Sequence, residues 1–395
     1  MSPRVIVTGG GTGGHVYPAL TLAQALRREG SEVLYVGTAR GLEARVVPAA
    51  GIPFATVISR PFHRTRPWSI VGTVMAAGGG LGQAFRLLRQ FRPDLVIATG
   101  GYVCGPVGLA AAMRHVPLLL QEQNAVPGRT SRYLARYARY VALGFEEAIS
   151  YFPAAWRDRL VVTGNPVRPE VRAARREEGL RFFRLDGRCR TLLVAGGSQG
   201  AQRINRAVQE ALPWFLGRPD LQVIWATGER AYGEVVQALR AEAQRSRKGP
   251  RGAVNEERVP TGTGEQRFTR SRNVLIAPFL EAMPLALAAA DLAVSRAGAL
   301  SLAELLVQAV PAILVPYPFA ADDHQSRNAE VLAKGGAARL VADEELSGER
   351  LAREIQSLLD QPGTLERMKE AAAGMARPRA TEAILELAHR MAARS

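Results

Sequence analysis

The sequence predicts an α/β protein with two domains, each built on a largely parallel β-sheet with helices on both faces. Short apolar stretches, typical of strands buried on both sides, alternate with stretches of helical periodicity. A strand, a glycine-rich loop and a helix follow one another at residues 4–29, and the same succession returns at residues 191–215. This arrangement is typical of Rossmann-like folds, whose first loop approaches a ligand. We therefore expect two Rossmann-like domains, residues 1–165 and 166–395, facing each other across a cleft.

Length and composition limit the classes of protein to be considered. The chain has 395 residues, more than one core usually holds, and 47% of them are hydrophobic. The formal net charge of +15 implies an anionic partner: nucleic acid, an anionic membrane surface or a phosphorylated substrate. Two cysteines, Cys104 and Cys189, are too few for a disulfide framework, and their surroundings suggest no metal site. The first strand begins at Arg4, which leaves no room for a signal peptide and favours a cytoplasmic location.

Residues 68–85 carry no charge. Glycines and polar residues interrupt this stretch, which argues against a membrane-spanning helix. A core-facing helix followed by a loop is one alternative. We favour an apolar patch lying on a bilayer, because arginines flank it on both sides and this combination suits an anionic leaflet. The residues predicted to form this membrane patch are Trp68, Ile70, Val71, Val74, Met75, Leu81 and Phe85.

The first glycine-rich loop, residues 9–15, lies between a predicted strand at residues 4–8 and a predicted helix at residues 18–29. Its glycines match the G-x-G-x-x-G pattern of dinucleotide sites, which alone is a weak signal. No acidic residue follows the next strand, residues 32–36, to bind the ribose of NAD. Arg40 could meet the 2′-phosphate of NADP, so NADP is disfavoured but not excluded. The loop can still bring backbone N–H groups close to a diphosphate or a sugar.

His15 ends this loop just before the helix. A helix N-terminus disfavours the charged imidazolium, so we expect His15 to be neutral and able to accept a proton. A histidine that only caps or packs the turn is the alternative. Because glycines surround the residue, we favour a catalytic role for it.

The rest of the first half repeats the alternation of strands and helices. A predicted strand at residues 94–99 leads into a second glycine-rich loop, residues 100–106, and a strand at residues 117–120 ends in the polar run Gln121–Asn124. Polar residues at the carboxyl end of a strand are more often ligand-facing than core, so we expect this run to face a ligand. The other predicted elements are a βα unit at 51–59, helices at 107–114 and 129–140, and strands at 141–143 and 160–163.

The second half begins with a strand at residues 191–195, the glycine-rich loop 196–201 and a helix at residues 202–215. Ser198 in this loop is positioned to bond a phosphate. Residues 245–272 are low in apolar residues and rich in Arg, Gly, Thr and Pro, which predicts a mobile insertion. The other predicted elements are a linker and surface helix at 169–188, strands at 221–226 and 274–280, and helices at 231–243 and 283–290.

Residues 291–330 predict a strand, a turn, a helix, a second strand, a polar loop and a further helix. Loops at the carboxyl ends of parallel strands bind ligands in α/β folds. Here they offer Glu304, His324 and Gln325, a set that suits a polyhydroxylated and phosphorylated ligand. We interpret the adjacent pair Asp322 and Asp323 as loop and helix cap, without a metal. Later elements are a strand at 337–341, a helix at 351–359 and helical residues 366–394 with a break at Pro378. This C-terminal helical segment could pack back onto the first domain.

Together the motifs closely resemble the MurG family of peptidoglycan N-acetylglucosaminyltransferases, glycosyltransferase family 28. In order, the segments that carry the resemblance are Gly9–Leu20, Gly100–Pro106, Glu122–Asn124, Gly164–Arg168, Gly196–Ala201, Ser295–Leu300 and Asp323–Gln325. The resemblance extends over nearly the whole chain, and the motifs are jointly highly specific. The departures are Cys104, where the family often has another small residue, and the insertion at 245–272.

The resemblance implies a GT-B fold that binds UDP-N-acetylglucosamine mainly through the second domain. The positions matching donor-binding residues are Thr12, Gly13, Gly14, Asn124, Arg168, Ser198, Leu280, Ala299, Leu300, Ser301, Leu302, Ala303, Glu304 and Gln325. Among these, Glu304 would bind the ribose hydroxyls and Ser198 the diphosphate. The implied acceptor is lipid I, undecaprenyl-diphospho-N-acetylmuramoyl-pentapeptide, reached by a peripheral protein on the cytoplasmic face of the membrane. No cofactor is implied, and no nucleic acid beyond the UDP moiety.

We expect an inverting transfer in which the 4-hydroxyl of N-acetylmuramic acid attacks the anomeric carbon opposite UDP. His15 is the expected general base, and Glu122 is the alternative. Helix N-termini would stabilise the leaving diphosphate without a metal. Rival functions are a UDP-N-acetylglucosamine 2-epimerase, a non-catalytic nucleotide-sugar-binding subunit and, least favoured, an NADP-dependent oxidoreductase.

Overall fold

The computed structural model describes residues 2–60, 69–197, 200–245, 254–261 and 264–393. Side chains are described within these ranges except at residues 69–77, 261 and 264. The chain divides into two compact units. Unit 1 contains the residues up to Val167 together with those from Arg377 onward, and unit 2 runs from Arg168 to Ala376.

Unit 1 is a parallel sheet with helices on both faces. Its strands are β1 (Arg4–Thr8), β2 (Glu32–Gly37), β3 (Phe54–Thr56), β4 (Leu95–Ala98), β5 (Leu118–Glu122), β6 (Tyr140–Leu143) and β7 (Leu160–Val162). Its helices before Val167 are α1 (Gly13–Arg28), α2 (Glu43–Ala49), α3 (Ser69–Phe91), α4 (Cys104–Met113) and α5 (Arg129–Leu134). The strand order is β3-β2-β1-β4-β5-β6-β7, and each described pair is parallel.

Alternate residues of the central strands of unit 1 face two separate cores. Ile6 and Val96 pack with α3, α4 and α5 on one face, whereas Val5 and Ile97 pack with α1 on the other. Burial on both faces explains why these strands are continuous apolar runs in the sequence.

Helix α3 continues to Phe91, so the loop expected in the alternative of a core-facing helix followed by a loop is wrong, whereas the helix does face the core through Ala84 and Leu88. Glycine normally weakens a helix, but one of these glycines is needed for packing. A Cβ atom at Gly80 would lie 2.1 Å from the carbonyl oxygen of Ile58, so only glycine permits this close approach.

Unit 2 is a mixed sheet whose central strands are parallel. Its strands are β8 (Arg190–Ala195), β9 (Leu221–Ala226), β10 (Asn255–Thr261), β11 (Gly264–Ser271), β12 (Val274–Ala277), β13 (Leu292–Ser295), β14 (Ala312–Leu314) and β15 (Ala338–Leu340). Its helices are α6 (Pro169–Ala173), α7 (Arg176–Phe182), α8 (Gln202–Glu210), α9 (Leu212–Leu216), α10 (Glu229–Arg245), α11 (Met283–Ala289), α12 (Ala299–Val307), α13 (His324–Lys334), α14 (Gly348–Asp360) and α15 (Thr364–Met375). The strand order is β10-β11-β12-β9-β8-β13-β14-β15.

A C-terminal helix, α16 (Ala380–Ala392), belongs to unit 1. Ile384 and Met391 are buried in the core that α1 forms with the sheet. At the end of α1, Glu29 Oε2 lies 2.7 Å from His389 Nε2. The helix is therefore an integral part of the core of unit 1.

The prediction of a mobile insertion at residues 245–272 is wrong where the structure describes them, because regular strands lie there. Strands β10 and β11 form an antiparallel ladder there, and residues 246–253 lie outside the described residues. Phe268 is 1% exposed and packs edge-on against Phe183, with ring centroids 5.7 Å apart. Arg270 pairs with Glu257 at 3.0 Å. A charged, thinly apolar sequence suits strands at a sheet edge, where charges also protect against unwanted pairing.

Two predicted helices are shorter than expected. The helix predicted at 202–215 is divided into α8 and α9, and Pro213 lies in the first turn of the second piece, where a missing N–H costs nothing. The helix predicted at 129–140 ends at Leu134, because β6 already begins at Tyr140.

Candidate active site

In each unit the candidate site lies where the order of the strands reverses. Chain direction across the sheet changes between β1 and β4 in unit 1 and between β8 and β13 in unit 2. The carboxyl ends of such strands are where open α/β sheets bind ligands. The loops there are 9–12 and 99–103 in unit 1, and 196–201 and 296–298 in unit 2.

The two loops of unit 1 are in direct contact. The N–H of Gly10 donates to the carbonyl of Gly100 at 3.4 Å. A Cβ at Gly101 would lie 2.0 Å from the carbonyl oxygen of Gly10, and one at Gly100 would lie 2.7 Å from Nδ1 of His15. Both Gly100 and Gly101 have positive φ, +104° and +82°. Glycine is therefore required here both by the backbone conformation and by the space available.

His15 is the third residue of α1 and is half-buried. Its Nδ1 lies 3.1 Å from the carbonyl oxygen of Thr99 and 3.0 Å from Oε1 of Gln123. The hydroxyl of Thr99 donates to the carbonyl oxygen of His15 at 2.7 Å. Both the ring and the backbone of His15 are thus held by residues at the ends of β4 and β5.

The polar run at the end of β5 does not face a ligand as predicted. Gln121, Glu122 and Gln123 are at most 1% exposed, and only Asn124 is half-buried. Both faces of β5 are covered, so these side chains bond to one another and to nearby backbone. Gln121 Nε2 donates to Asn165 Oδ1 at 3.0 Å, and Asn165 Nδ2 donates to the carbonyl of Gln123 at 3.0 Å. Sequence reasoning did not identify Asn165, whose side chain meets the run from 42 residues away.

Glu122 holds the loop that follows β5. Its Oε1 accepts from the backbone N–H and the Nδ2 of Asn124 at 3.0 and 3.2 Å, and its Oε2 accepts from the N–H of Gly128 at 3.1 Å. With both oxygens bonded and the side chain buried, Glu122 is poorly placed to accept a proton from a substrate. Its visible effect is to fix the position of Asn124.

Glu43 lies beneath the first glycine-rich loop and was not identified from the sequence. The side chain is 0% exposed. Its Oε1 accepts from the N–H and hydroxyl of Thr38 at 3.1 and 2.7 Å, and its Oε2 accepts from the N–H of Gly11 at 3.5 Å. Nearby, the hydroxyl of Tyr35 donates to the carbonyl of Gly9 at 2.8 Å, and burial raises the pKa of Tyr35 well above its usual range.

The start of α1 is open to a ligand. Thr12 is the N-cap residue, yet its side chain makes no capping bond within the part of the chain that the structure describes. Thr12 and Gly14 are exposed and Gly13 is half-buried. The N–H of His15 donates to the carbonyl of Thr12 at 3.0 Å, whereas the N–H groups of Gly13 and Gly14, at the start of the first helical turn, have no intrahelical partner and are available to a ligand.

Helix α12 offers a similar terminus in unit 2. Gly298 occupies the N-cap position, where it has no side chain with which to cap. The N–H groups of Ala299, Leu300 and Ser301 belong to the first turn. Leu302 differs, because its N–H donates to Gly298 at 3.0 Å and its side chain is 0% exposed. It therefore presents no group to a ligand and belongs to the core.

Further along α12, Glu304 faces Arg168, which precedes α6. Arg168 Nε lies 2.9 Å from Glu304 Oε1, and the side chains are 41% and 17% exposed. Ala303, the residue before Glu304, is half-buried. Two residues assigned to the nucleotide sugar by resemblance are thus brought together, although 136 positions separate them.

Gln325 connects the loops that follow β13 and β14. Its Oε1 accepts from the N–H of Ala297 at 3.2 Å and from the N–H of Tyr317 at 3.0 Å. Its amide Nε2 has no bond to the residues that the structure describes, so it remains available as a donor. Leu280, after β12, is 2% exposed and could meet a ligand only through its backbone.

Ser198 lies outside the described residues. The neighbouring Gly197 and Gly200 have φ of +93° and +76°. His324 packs on its own loop, with Nδ1 2.7 Å from the carbonyl of Ala321. Asp323 is the N-cap of α13 and accepts from the hydroxyl of Ser326 at 2.6 Å. Across the described ranges, no three His, Cys, Asp or Glu side chains are grouped closely enough to hold a metal ion.

The predicted membrane patch coincides with α3. Trp68 lies outside the described residues, and the side chains of Ile70, Val71, Val74 and Met75 are not described. Leu81 and Phe85 pack against the core and are half-buried. They therefore lack the full exposure that the predicted membrane patch requires. Where the structure is described, no helix has the length and apolarity needed to cross a bilayer.

Known families and proteins match almost the full chain. Residues 5–143 match the glycosyltransferase family 28 N-terminal domain, and residues 191–384 match the glycosyltransferase family 28 C-terminal domain. A protein of Moorella thermoacetica named UDP-N-acetylglucosamine--N-acetylmuramyl-(pentapeptide) pyrophosphoryl-undecaprenol N-acetylglucosamine transferase is 45% identical, over 97% of this chain and 98% of its own. One of the same name from Desulfitobacterium hafniense is 43% identical over the same shares.

Solved structures give the same picture of the fold. Acinetobacter baumannii MurG superposes with a TM-score of 0.74 at 28% identity, over 98% of this chain and 99% of that one. A UDP-GlcNAc 2-epimerase from Neisseria meningitidis, solved with UDP-GlcNAc, gives a TM-score of 0.63 at 14% identity, over 98% and 100%. The second likeness concerns the fold alone.

Proposed function

The chain belongs to glycosyltransferase family 28, and we propose that it transfers N-acetylglucosamine from UDP-N-acetylglucosamine to lipid I, forming lipid II for peptidoglycan synthesis. Both the family and the GT-B class of fold predicted from the motifs are confirmed. One observation carries the proposal: relatives that match over almost their full length bear this activity in their names. The acceptor group is the 4-hydroxyl of N-acetylmuramic acid, and the product is a β-1,4 disaccharide.

Unit 2 is the proposed donor site. A helix N-terminus with unbonded N–H groups favours a diphosphate, and α12 with its Gly298 cap provides one. Ser198, in the loop after β8, would add a hydroxyl. Glu304 accepts from the ribose hydroxyls, and the adjacent Arg168 holds its carboxylate in place. Gln325 contributes its free amide N–H₂ group, while Leu280 contributes backbone only.

Unit 1 is the proposed acceptor site, with His15 as general base. The 4-hydroxyl loses its proton to His15 as its oxygen attacks the anomeric carbon on the face opposite UDP, which inverts the configuration. Thr12, Gly13 and Gly14 at the start of α1, together with Asn124, contact the transferred sugar. Glu122 is not the base in this proposal; its hydrogen bonds to Asn124 hold that residue in position.

A peripheral position on the cytoplasmic face of the membrane follows from the proposed acceptor, whose lipid remains in the bilayer. Residues of α3 from Ser69 onward, with Trp68, would lie on an anionic leaflet. Arg86 and Arg89 near the end of the helix are exposed and could meet lipid phosphates.

The first experiment combines the purified protein with UDP-N-acetylglucosamine and a lipid I analogue, with and without EDTA, and analyses the products. We expect UDP and a β-1,4 disaccharide. His15→Ala should lose more than about 100-fold in turnover while UDP-N-acetylglucosamine still binds. His389→Ala is the matched control, because that histidine lies on α16 and pairs with Glu29. Near-normal turnover in His15→Ala would remove the proposed base.

Donor alone separates the enzyme from its rivals. A 2-epimerase would convert UDP-N-acetylglucosamine without any acceptor, and a binding subunit would bind it without turnover. We expect neither an epimer nor consumption of donor until the lipid I analogue is added.

Membrane binding is tested by sedimentation with vesicles of phosphatidylglycerol or of phosphatidylcholine alone. Binding to the anionic vesicles should weaken in Met75→Glu, and also in Arg86→Glu with Arg89→Glu. The matched control is Arg240→Glu, an exposed arginine of unit 2. Equal binding to both kinds of vesicle, unchanged by the α3 substitutions, would contradict the proposed patch.

A further inference from the structure

We infer that Gln123 is a positioning residue that holds His15 with its proton on Nδ1, so that Nε2 is the nitrogen that accepts the proton of the acceptor hydroxyl. The inference deepens the proposed function and rests on the role of His15 as base.

The orientation of the Gln123 amide is fixed by its surroundings. Its Nε2 faces the carbonyl oxygen of Thr99 at 2.7 Å, the carbonyl oxygen of Gln121 at 3.1 Å and also Gln121 Oε1. Oxygens of this kind only accept hydrogen bonds, so the group facing them must be the N–H₂. A flipped amide would place oxygen against three oxygens. The Oε1 of Gln123 is therefore the atom turned toward His15.

The tautomer of His15 follows from that orientation. Nδ1 contacts Oε1 of Gln123 and the carbonyl of Thr99, and both partners are acceptors. Nδ1 must then carry the hydrogen in order to donate to either of them. A neutral imidazole has one N–H, so Nε2 keeps its lone pair. Nε2 has no bond to any residue within the described ranges and remains available to a substrate.

A second layer of amides prevents Gln123 from turning. Gln121, whose Oε1 accepts from Gln123, donates through its own Nε2 to Asn165. Asn165 completes the set by donating to the backbone carbonyl of Gln123. Gln121 is 0%, Gln123 1% and Asn165 4% exposed, so no solvent competes for these bonds. Reversing any one amide would oppose donor to donor or acceptor to acceptor, which is costly in a buried network.

Gln123 orients His15 without bringing a negative charge to it. An amide oxygen accepts the Nδ1 hydrogen as a carboxylate would, but it gives less stabilisation to an imidazolium. The hydrogen bond between His15 Nδ1 and Gln123 Oε1 therefore selects a tautomer more than it raises the basicity of the imidazole. For this reason the expected signature is the distribution of the proton between the two ring nitrogens.

The direct test is NMR of protein labelled with ¹⁵N-histidine, in the absence of substrates. His15 should show a pyrrole-type signal for Nδ1 and a pyridine-type signal for Nε2, assigned by comparison with His15→Ala. A pyridine-type Nδ1 would overturn the inference, whatever the activity. This measurement uses the unaltered chain and does not depend on whether a variant folds.

The functional test is Gln123→Met, which keeps the volume and removes both hydrogen-bonding groups. We expect kcat to fall by about 10- to 100-fold with an unchanged KM for UDP-N-acetylglucosamine, and the His15 signals to become a mixture of tautomers. The Nδ1–H form persists in part because the Thr99 carbonyl still accepts from Nδ1, and the other form appears because the second acceptor, Oε1 of Gln123, is gone. The matched control is Gln222→Met, a glutamine of unit 2 that is 6% exposed and bonded to Asp186.

The outcomes separate this inference from the proposed function. If His15→Ala is inactive but Gln123→Met has the kcat and tautomer of Gln222→Met, then His15 is the base and Gln123 does not position it. If His15→Ala retains turnover, the proposed base fails first. Equal loss of kcat in both methionine variants would indicate a general effect of losing a buried amide and would also overturn the inference.

Discussion

Gly100→Ala should inactivate the enzyme through His15 while destabilising it only modestly. The new Cβ would lie 2.7 Å from Nδ1 of His15 and 2.9 Å from its Cε1. To reach an ordinary contact of 3.4 Å, the ring must retreat by about 0.7 Å. A displacement approaching 1 Å in a catalytic group costs up to about 100-fold, so we expect kcat to fall by about one to two orders of magnitude. The positive φ of +104° adds about 1–2 kcal/mol of backbone strain.

Gly51→Ala is the matched control for that strain. Gly51 has φ of +70°, but a Cβ there would have nothing within 4 Å. Both variants should lose a similar ~2–8 °C in Tm by calorimetry, given ~2–4 °C for each kcal/mol in a domain of this size. Only Gly100→Ala should lose kcat in the disaccharide assay. If Gly100→Ala turned over as fast as Gly51→Ala, the loop would not constrain His15 and the argument built on its geometry would fail.

Three further predictions concern other parts of the chain. Burial raises the pKa of the Cys104 thiol to about 12. At neutral pH a thiol reagent should therefore label the native protein at Cys189, and it should leave the Cys189→Ser variant unlabelled until that variant is unfolded. Rapid labelling of native Cys189→Ser would contradict the burial of Cys104. Glu122→Gln should lower the free energy of unfolding by about 1–3 kcal/mol, because one carboxylate oxygen that accepts a hydrogen bond is lost. It should also raise the KM for donor, while kcat stays within a few-fold of that of the unaltered protein. A loss of kcat as large as that of His15→Ala would instead make Glu122 the base. Phe268→Ala should lower the free energy of unfolding by about 3–5 kcal/mol in urea titrations, and a loss below about 1 kcal/mol would show that β11 packs loosely.

The repeating pattern of strands and helices was readable because its causes are local. Runs such as Leu95–Ala98 are buried on both faces, and burial of that kind leaves a continuous apolar signature. The hairpin of β10 and β11 left no such signature, because its charges pair across strands and only Phe268 and a few neighbours enter the core. The continuation of α3 was missed for a related reason: the glycine at position 80 is explained by the Ile58 carbonyl, which is distant in sequence.

For the candidate site, the sequence identified loops better than interactions. His15 was selected for its position among glycines, and the structure places it in the first turn of α1, which follows β1 where that strand adjoins β4. The bonds that hold its ring come from Thr99 and Gln123, 84 and 108 positions away. The spacing of apolar residues along the sequence carries no information about contacts between residues so far apart. The polar run ending β5 was noticed, but its side chains serve one another, because a strand covered on both faces offers no solvent-facing side at its end.

The buried Glu43 already engages part of the glycine-rich loop after β1. The N–H of Gly11 already approaches its carboxylate, and the N–H of Gly10 already donates to Gly100. The same carboxylate argues against the pyrophosphate of NADP at this position. The structure places no comparable carboxylate bond on the first turn of α12 within the described residues, where Gly298 leaves the N–H groups open. The two glycine-rich turns therefore differ: the N–H groups of Gly10 and Gly11 after β1 have partners, whereas the first turn of α12 after β13 keeps its N–H groups open, as the proposed diphosphate site requires.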